Sequence, residues 1–264
     1  QLLARRPDLK IHFLRGNATE GRRLVGRMLP SESNARSEWD LAFTRREPLG
    51  VVAAILPFNF PVELFVEKCA AALVGGNAVV VKPPIEDPLV VGRFREALIE
   101  VGVPAEVIAA VHGDAKVGAA LAEAPGVDAI SLTGSTAAGI AVARATAEKL
   151  RFLHLELGGN NASLILEDAD LDLVAAEMLR GRVLMNGQAC SASKRVIVHR
   201  SLHDELVARL SEAVAAQRVG AATDDTTTIG PLIHEGAATR VAVQVANGRS
   251  QGAEIAAGTG ESEG

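Results

Sequence analysis

Cysteine is scarce in this chain of 264 residues, occurring only as Cys69 and Cys190. Two thiols cannot build a disulfide framework or a cysteine-rich zinc site, and they fit a reducing, cytoplasmic setting. A basic excess is also lacking. The net charge is −5, and the 27 lysines and arginines are scattered rather than grouped, which argues against nucleic-acid binding. No apolar run reaches the roughly 18 residues of a membrane span, and no basic-then-apolar leader precedes a small-residue cleavage site. The six histidines offer one spaced pair, His199 and His203. It straddles a strand end and a helix start, so a solvated surface is expected there and no metal site. Repeats and low-complexity tracts are missing too.

What is present is a chain that is 48% hydrophobic, enough to bury one large core or two smaller ones. The first 48 residues are polar and arginine-rich, with helix-like pieces followed by an alternating stretch that suits an exposed strand or hairpin arm. From Leu49 onward, short β-branched runs alternate with alanine-rich amphipathic segments, the pattern of βαβ units and a parallel sheet. Strands are expected at "GVVAAIL", "NAVVVKP", "VIAAVHG", "VDAISLTG" and "RFLHLEL", with helices near 61–73, 88–101, 114–123 and 136–149. Open α/β sheets bind ligands at the carboxyl ends of their strands, so "LPFNFP", "VKPP", "LTGST" and "LELGG" should lie along one edge. A second series follows. It has a strand at "NASLILE", a helix running to about Met185, a strand at "KRVIVH", a helix to about Arg218, and another before "AEIAAG". The Gly158-Gly159 turn is the candidate boundary between them. A start on Gln1 and an end in "GTGESEG" suggest a fragment.

Each motif has a chemical and a plain structural interpretation. "LTGSTAAG" (132–139) leads from a strand through a turn into a helix, so backbone N–H groups and the helix dipole would face an anion. It is neither a G-x-G-x-x-G fingerprint nor a Walker A loop, and an ordinary Ser/Thr helix cap explains it as well. Lys82, at a strand end, is either a snorkelling surface lysine or a donor to a nucleotide. Glu156 stands in an apolar strand before Gly-Gly, so it is either a partly desolvated general base or a buried structural carboxylate. Asn59, between aromatics and prolines, either stabilises a turn or donates its amide to an oxyanion. Cys69, in "LFVEKCAAALV", is a core residue. Cys190 follows the turn-like "MNGQA" and is either a small core hydrophobe or a presented nucleophile.

Together these motifs resemble the aldehyde dehydrogenase superfamily. The resemblance rests on Pro57-Phe58-Asn59-Phe60-Pro61, Val81-Lys82-Pro83, Thr133-Gly134-Ser135-Thr136 with Gly139, Glu156-Leu157-Gly158-Gly159, and Gly187-Gln188-Ala189-Cys190. Order and spacing agree as well, with Lys82 lying 23 residues after Asn59 and Cys190 lying 34 after Glu156. The resemblance implies an open parallel-sheet, Rossmann-like cofactor domain over 1–157, followed by the first part of an α/β catalytic domain over 158–264. Residues near 30–48 would form part of an oligomerisation arm. It also implies NAD(P)-dependent oxidation of a small-molecule aldehyde to a carboxylic acid, in a protein that forms a homodimer or homotetramer.

Under that resemblance Cys190 attacks the aldehyde, Asn59 holds the oxyanion, and Glu156 activates the hydrolytic water. Lys82, Gly134, Ser135, Gly139, Phe58 and Leu157 line the cofactor. Many NAD-preferring relatives carry an acidic residue three places after the lysine; here Ile85 stands there and Glu86 one place later, so the cofactor is NAD or NADP. A CoA-acylating relative and a non-catalytic cofactor-binding or interaction module are the alternatives. The resemblance spans nearly the whole chain but about half of a typical member. An unfinished domain would therefore expose apolar surface.

Overall fold

The computed structural model describes residues 7–29 and 41–258. The chain divides into two compact units, Gln1–Leu157 and Gly158–Gly264. The first opens with helix α1 (Pro7–Gly21), then β1 (Met28–Leu29) paired antiparallel with β2 (Ala42–Phe43). These two short strands are largely exposed. Part of the arm expected near 30–48, residues 30–40, lies outside the described residues.

From β3 (Val51–Ile55) the chain winds through α2 (Pro61–Phe65), a π-helical turn (Val66–Ala70) and α3 (Ala71–Val74) into β4 (Ala78–Lys82). It continues through α4 (Pro88–Glu100), β5 (Ile108–Ala110), α5 (Ala115–Glu123), β6 (Ala129–Thr133), α6 (Thr136–Thr146) and β7 (Phe152–Glu156). All five sheet strands are parallel, in the order β5-β4-β3-β6-β7. This is the open α/β sheet expected, and its order reverses between β3 and β6. Helix starts follow local chemistry. Pro61 and Pro88 sit at first-turn positions, where a missing N–H costs nothing. Asp114 caps α5, accepting from Lys116 N at 2.9 Å.

Alternation along the strands sorts the two cores. Ala54, Val79 and Val81 face Phe65, Val66, Cys69 and Val91 from α2 to α4. Ala53, Ile55, Ile130 and Leu132 face Ala122 and Val142 from α5 and α6. Asn77 ties the first layer to the sheet. Its Oδ1 accepts from the N–H groups of Leu49 (2.7 Å) and Gly50 (3.0 Å), while Nδ2 donates to Ala72 O (2.9 Å). Asn77→Ala leaves those groups without the partner that positions the start of β3. Its expected cost is about 2 kcal/mol, read from the midpoint shift in urea unfolding.

In the second unit β8 (Asn161–Ile165) and β9 (Ser193–Val198) form a parallel pair joined through α7 (Leu171–Val183); α8 (His203–Ala215) and α9 (Glu235–Ser250) follow. Ile165, Leu171 and Leu206 make its core, with Val198 and Leu210 packed beside them. Parallel strands are ordinarily covered on both faces. Here Leu164 and Ile197, register partners, are exposed. Helix α7 stops short of the expected Met185, because Met185 and Asn186 take left-handed backbone angles (φ 52° and 55°) that no α-helix accommodates.

Candidate active site

Five motif residues of the first unit lie at the carboxyl edge of one parallel sheet. Asn59 follows β3, Lys82 ends β4, Gly134 and Ser135 follow β6, and Glu156 ends β7. The β3/β6 reversal, where such sheets open a crevice, therefore sits between the Asn59 loop and the Gly134-Ser135 turn. Asn59 is buried, and Phe58 is half-buried beside it.

Lys82 does not snorkel to the surface. It is 7% exposed, and its Nζ donates to Pro83 O (2.7 Å) and Gly113 O (3.1 Å). Burial pulls its pKa down, partly offset by the charges of Glu86 and Asp114. Two carbonyls occupy two of the ammonium's three donors.

At the β6–α6 turn the cap interpretation holds in the geometry. Ser135 is the N-cap of α6, and its Oγ accepts from Ala138 N at 3.2 Å. Gly134 N donates to Glu156 O at 3.0 Å, so that amide ties β6 to β7 and does not face outward as the motif suggested. The first-turn amides of Thr136 and Ala137 have no intrahelical carbonyl to reach, which keeps the helix start suited to an anion. Gly139 has a separate function. A Cβ there would lie 2.6 Å from Leu157 Cδ2 and 2.7 Å from Cδ1, so glycine leaves the room that the Leu157 side chain takes against α6, and a larger residue would displace it.

Glu156 departs from the expected desolvated carboxylate. Its side chain is 55% exposed, because β7 is the sheet's edge strand and its outer end is not roofed. Its surroundings are nevertheless polar and ordered. His154 Nε2 lies 3.4 Å from Glu156 Oε1, and His154 Nδ1 is 2.9 Å from Ser131 Oγ. Thr133, the register partner of Glu156, has a buried Oγ1 with no hydrogen-bond partner.

Lys68 was not singled out by motif. It is 4% exposed in the π-helical turn, and its Nζ also has no hydrogen-bond partner. Burial lowers its pKa, against the opposing charges of Glu67, Glu156 and Cys69. The signal available in the sequence was a lysine inside the apolar helical run "LFVEKCAAALV". Its neighbour Cys69 is fully buried, its thiol pushed up to about 12 by burial, as befits an inert core residue.

Cys190 belongs to the second unit and is exposed. The loop before it is braced by side chains. Asn186 Nδ2 donates to Pro231 O (3.1 Å), and Asn186 Oδ1 accepts from Gly230 N (2.9 Å). Gln188 Oε1 accepts from Ile233 N (3.0 Å), and Arg182 Nη1 donates to Gly187 O (3.0 Å). The carbonyl of Cys190 accepts from Asn161 Nδ2 (3.2 Å) and Lys194 Nζ (3.0 Å). Three consecutive left-handed residues, Met185, Asn186 and Gly187, turn the chain sharply. The strain at Met185 and Asn186 is sustained by that bracing, while Gly187 adopts the conformation freely. A buried packing cysteine needs none of it. A cavity of about 420 Å³ in the same unit, lined by Met178, Leu179, Val183, Val196, Leu210 and Val214 among others, does not include Cys190.

Against known proteins, the model of the aldehyde dehydrogenase family matches residues 4–264. The chain belongs to the aldehyde dehydrogenase family. Geranial dehydrogenase of Castellaniella defragrans is 43% identical over 209 residues, which cover 79% of this chain and 44% of that protein. A solved lactaldehyde dehydrogenase superposes with a TM-score of 0.90 at 34% identity, covering 97% of this chain and 53% of the other. The NAD+ complex of an aldehyde dehydrogenase from Bacillus cereus gives 0.88 at 34% identity, covering 96% and 50%. The chain thus spans about half the length of the aldehyde dehydrogenases it matches. Among the described residues there is no cluster of three or more potential metal ligands, and no helix long and apolar enough to cross a membrane.

Proposed function

We propose that this chain carries the cofactor-binding and nucleophile-bearing parts of an enzyme that oxidises an aldehyde to a carboxylic acid. The observation that supports this most is the exposed Cys190 on a strained, side-chain-braced loop, in a chain that belongs to the aldehyde dehydrogenase family. The first unit serves as the cofactor domain and the second as the start of the catalytic domain.

The residues at the sheet edge fit a dinucleotide. Lys82 has its amine anchored on two carbonyls with one donor left, α6 offers open amides at its start, and Thr133 has a buried hydroxyl with no partner. In the proposed arrangement Lys82 holds the adenosine ribose, while Ser135 and the α6 amides hold the pyrophosphate. Gly139 lets Leu157 pack close, and Leu157 and Phe58 line the site. NAD or NADP, when bound, supplies the hydride acceptor. Ile85 and the neighbouring Glu86 leave both cofactors open.

Cys190 attacks the aldehyde carbon as the thiolate, forming the C–S bond of a thiohemiacetal whose oxyanion is held by the Asn59 amide and the Cys190 N–H. Loss of hydride leaves a thioester on Cys190. Glu156 then takes a proton from water, which attacks the thioester and releases the acid and the thiolate. A carboxylate in the Glu156 position favours hydrolysis over transfer to CoA. The parent protein is proposed to be a cytoplasmic homodimer or homotetramer.

The exposed Leu164 and Ile197 on the two-stranded sheet support a second reading, a cofactor-binding or interaction module without turnover. Two measurements on the purified protein separate the readings: cofactor binding by calorimetry, and the near-ultraviolet absorbance of reduced nicotinamide with a broad aldehyde panel. Turnover with any aldehyde supports the enzyme. Cofactor binding without turnover across the panel overturns it in favour of the module.

A further inference from the structure

On β7, residues two apart point to the same face, so His154 and Glu156 share one. The register places Ser131 opposite His154 and Thr133 opposite Glu156. Ser131 is in turn opposite Ala54, which belongs to the core under Phe65, Val66 and Cys69. The polar row Ser131, Thr133, His154 and Glu156 thus lies on the face covered elsewhere by α2, the π-helical turn and α3. The charged residues of those covering elements are Glu63 and Glu67, both exposed, and the buried Lys68.

We propose that His154, seated by Ser131, is a positioning residue for the Glu156 carboxylate; this rests on the reading of Glu156 as the hydrolytic base. Ser131 is buried and its Oγ meets Nδ1 at 2.9 Å, which orients the ring with Nε2 toward Glu156 Oε1 at 3.4 Å. A serine hydroxyl both donates and accepts. It can donate to Nδ1 of the neutral ring, leaving the proton on Nε2, and accept from Nδ1 of the cation. In either state the ring presents an N–H to the carboxylate. The edge-strand position leaves Glu156 half-exposed; the buried Lys68 attracts it only through its charge, and His154 is the partner in direct contact with its carboxylate. With it, one carboxylate oxygen is drawn back along the strand and the other is left free for water. His154 itself touches no reacting atom.

Two readouts test this on the purified protein. The first is independent of turnover: the ¹⁵N signals of the His154 ring, assigned with His154→Gln, are recorded in wild type, Glu156→Gln and Ser131→Ala. Both substitutions are expected to move them. The second is pre-steady-state kinetics with aldehyde and cofactor. His154→Leu is expected to slow thioester hydrolysis about three- to fivefold, the scale of a half-exposed charged contact, with the initial burst unchanged. His154→Gln, which keeps a donor, is expected to restore most of the rate. Ring signals unmoved by Glu156→Gln, or a burst that falls in step with turnover in His154→Leu, would overturn the inference. Moved ring signals together with unimpaired hydrolysis in Glu156→Gln would instead remove the base reading, and this inference with it.

Discussion

Cys190→Ala is expected to reduce aldehyde oxidation to background, a loss on the order of 10⁴-fold or more, because the proposed mechanism runs through a thioester on that thiol. The only other thiol, Cys69, is fully buried with its pKa raised by that burial, so it cannot substitute. Folding should be unaffected. Cys190 is exposed and its side chain belongs to neither the core of its unit nor the loop bracing, which runs through Asn186, Gln188 and Arg182 and through the Cys190 carbonyl. Unchanged circular dichroism and unchanged cofactor affinity would accompany the loss. Turnover retained in the alanine variant would sink the nucleophile assignment outright.

Glu156→Gln is expected to separate the two halves of the reaction. In the proposed mechanism attack by Cys190 and hydride loss do not use the carboxylate, so a single burst of reduced nicotinamide should remain. Hydrolysis should fall about 10²- to 10³-fold, the usual contribution of a positioned general base. The acylated protein should then accumulate, visible as added mass on the intact chain. Because Glu156 is half-exposed, its amide replacement creates no buried unsatisfied group, and stability should barely change. Multiple turnovers at the wild-type rate would exclude Glu156 as the base.

Much of the first unit was legible because it is written in local terms. The β-branched run before Lys82 and the apolar runs before Thr133 and Glu156 form strands of the sheet, and Pro61, Pro88, Asp114 and Ser135 start helices through first-turn chemistry that acts within a few residues. Other features were not legible. The π-helical turn at Val66–Ala70 was not legible because five residues are too few to establish a period of their own within a short helical run. The end of α7 at Val183 depends on the left-handed angles of Met185 and Asn186, which are held by bonds to Gly230 and Pro231, 44 and 45 residues away from Asn186.

The order and chemistry of the motif residues, and the α/β class with its parallel strands, were determined by sequence alone, because they follow from residue type, periodicity and spacing. Exposure and partnership were decided only by the tertiary structure. An apolar strand such as "RFLHLEL" reads the same whether it lies in the centre of a sheet or at its edge. Only the strand order β5-β4-β3-β6-β7 makes it an edge, exposes Glu156 and brings Ser131 to His154. The same holds at Lys82, whose carbonyl partner at Gly113 is supplied by a different βα loop. Burial and hydrogen bonding depend on neighbours remote in the chain, and those exist only once it has folded.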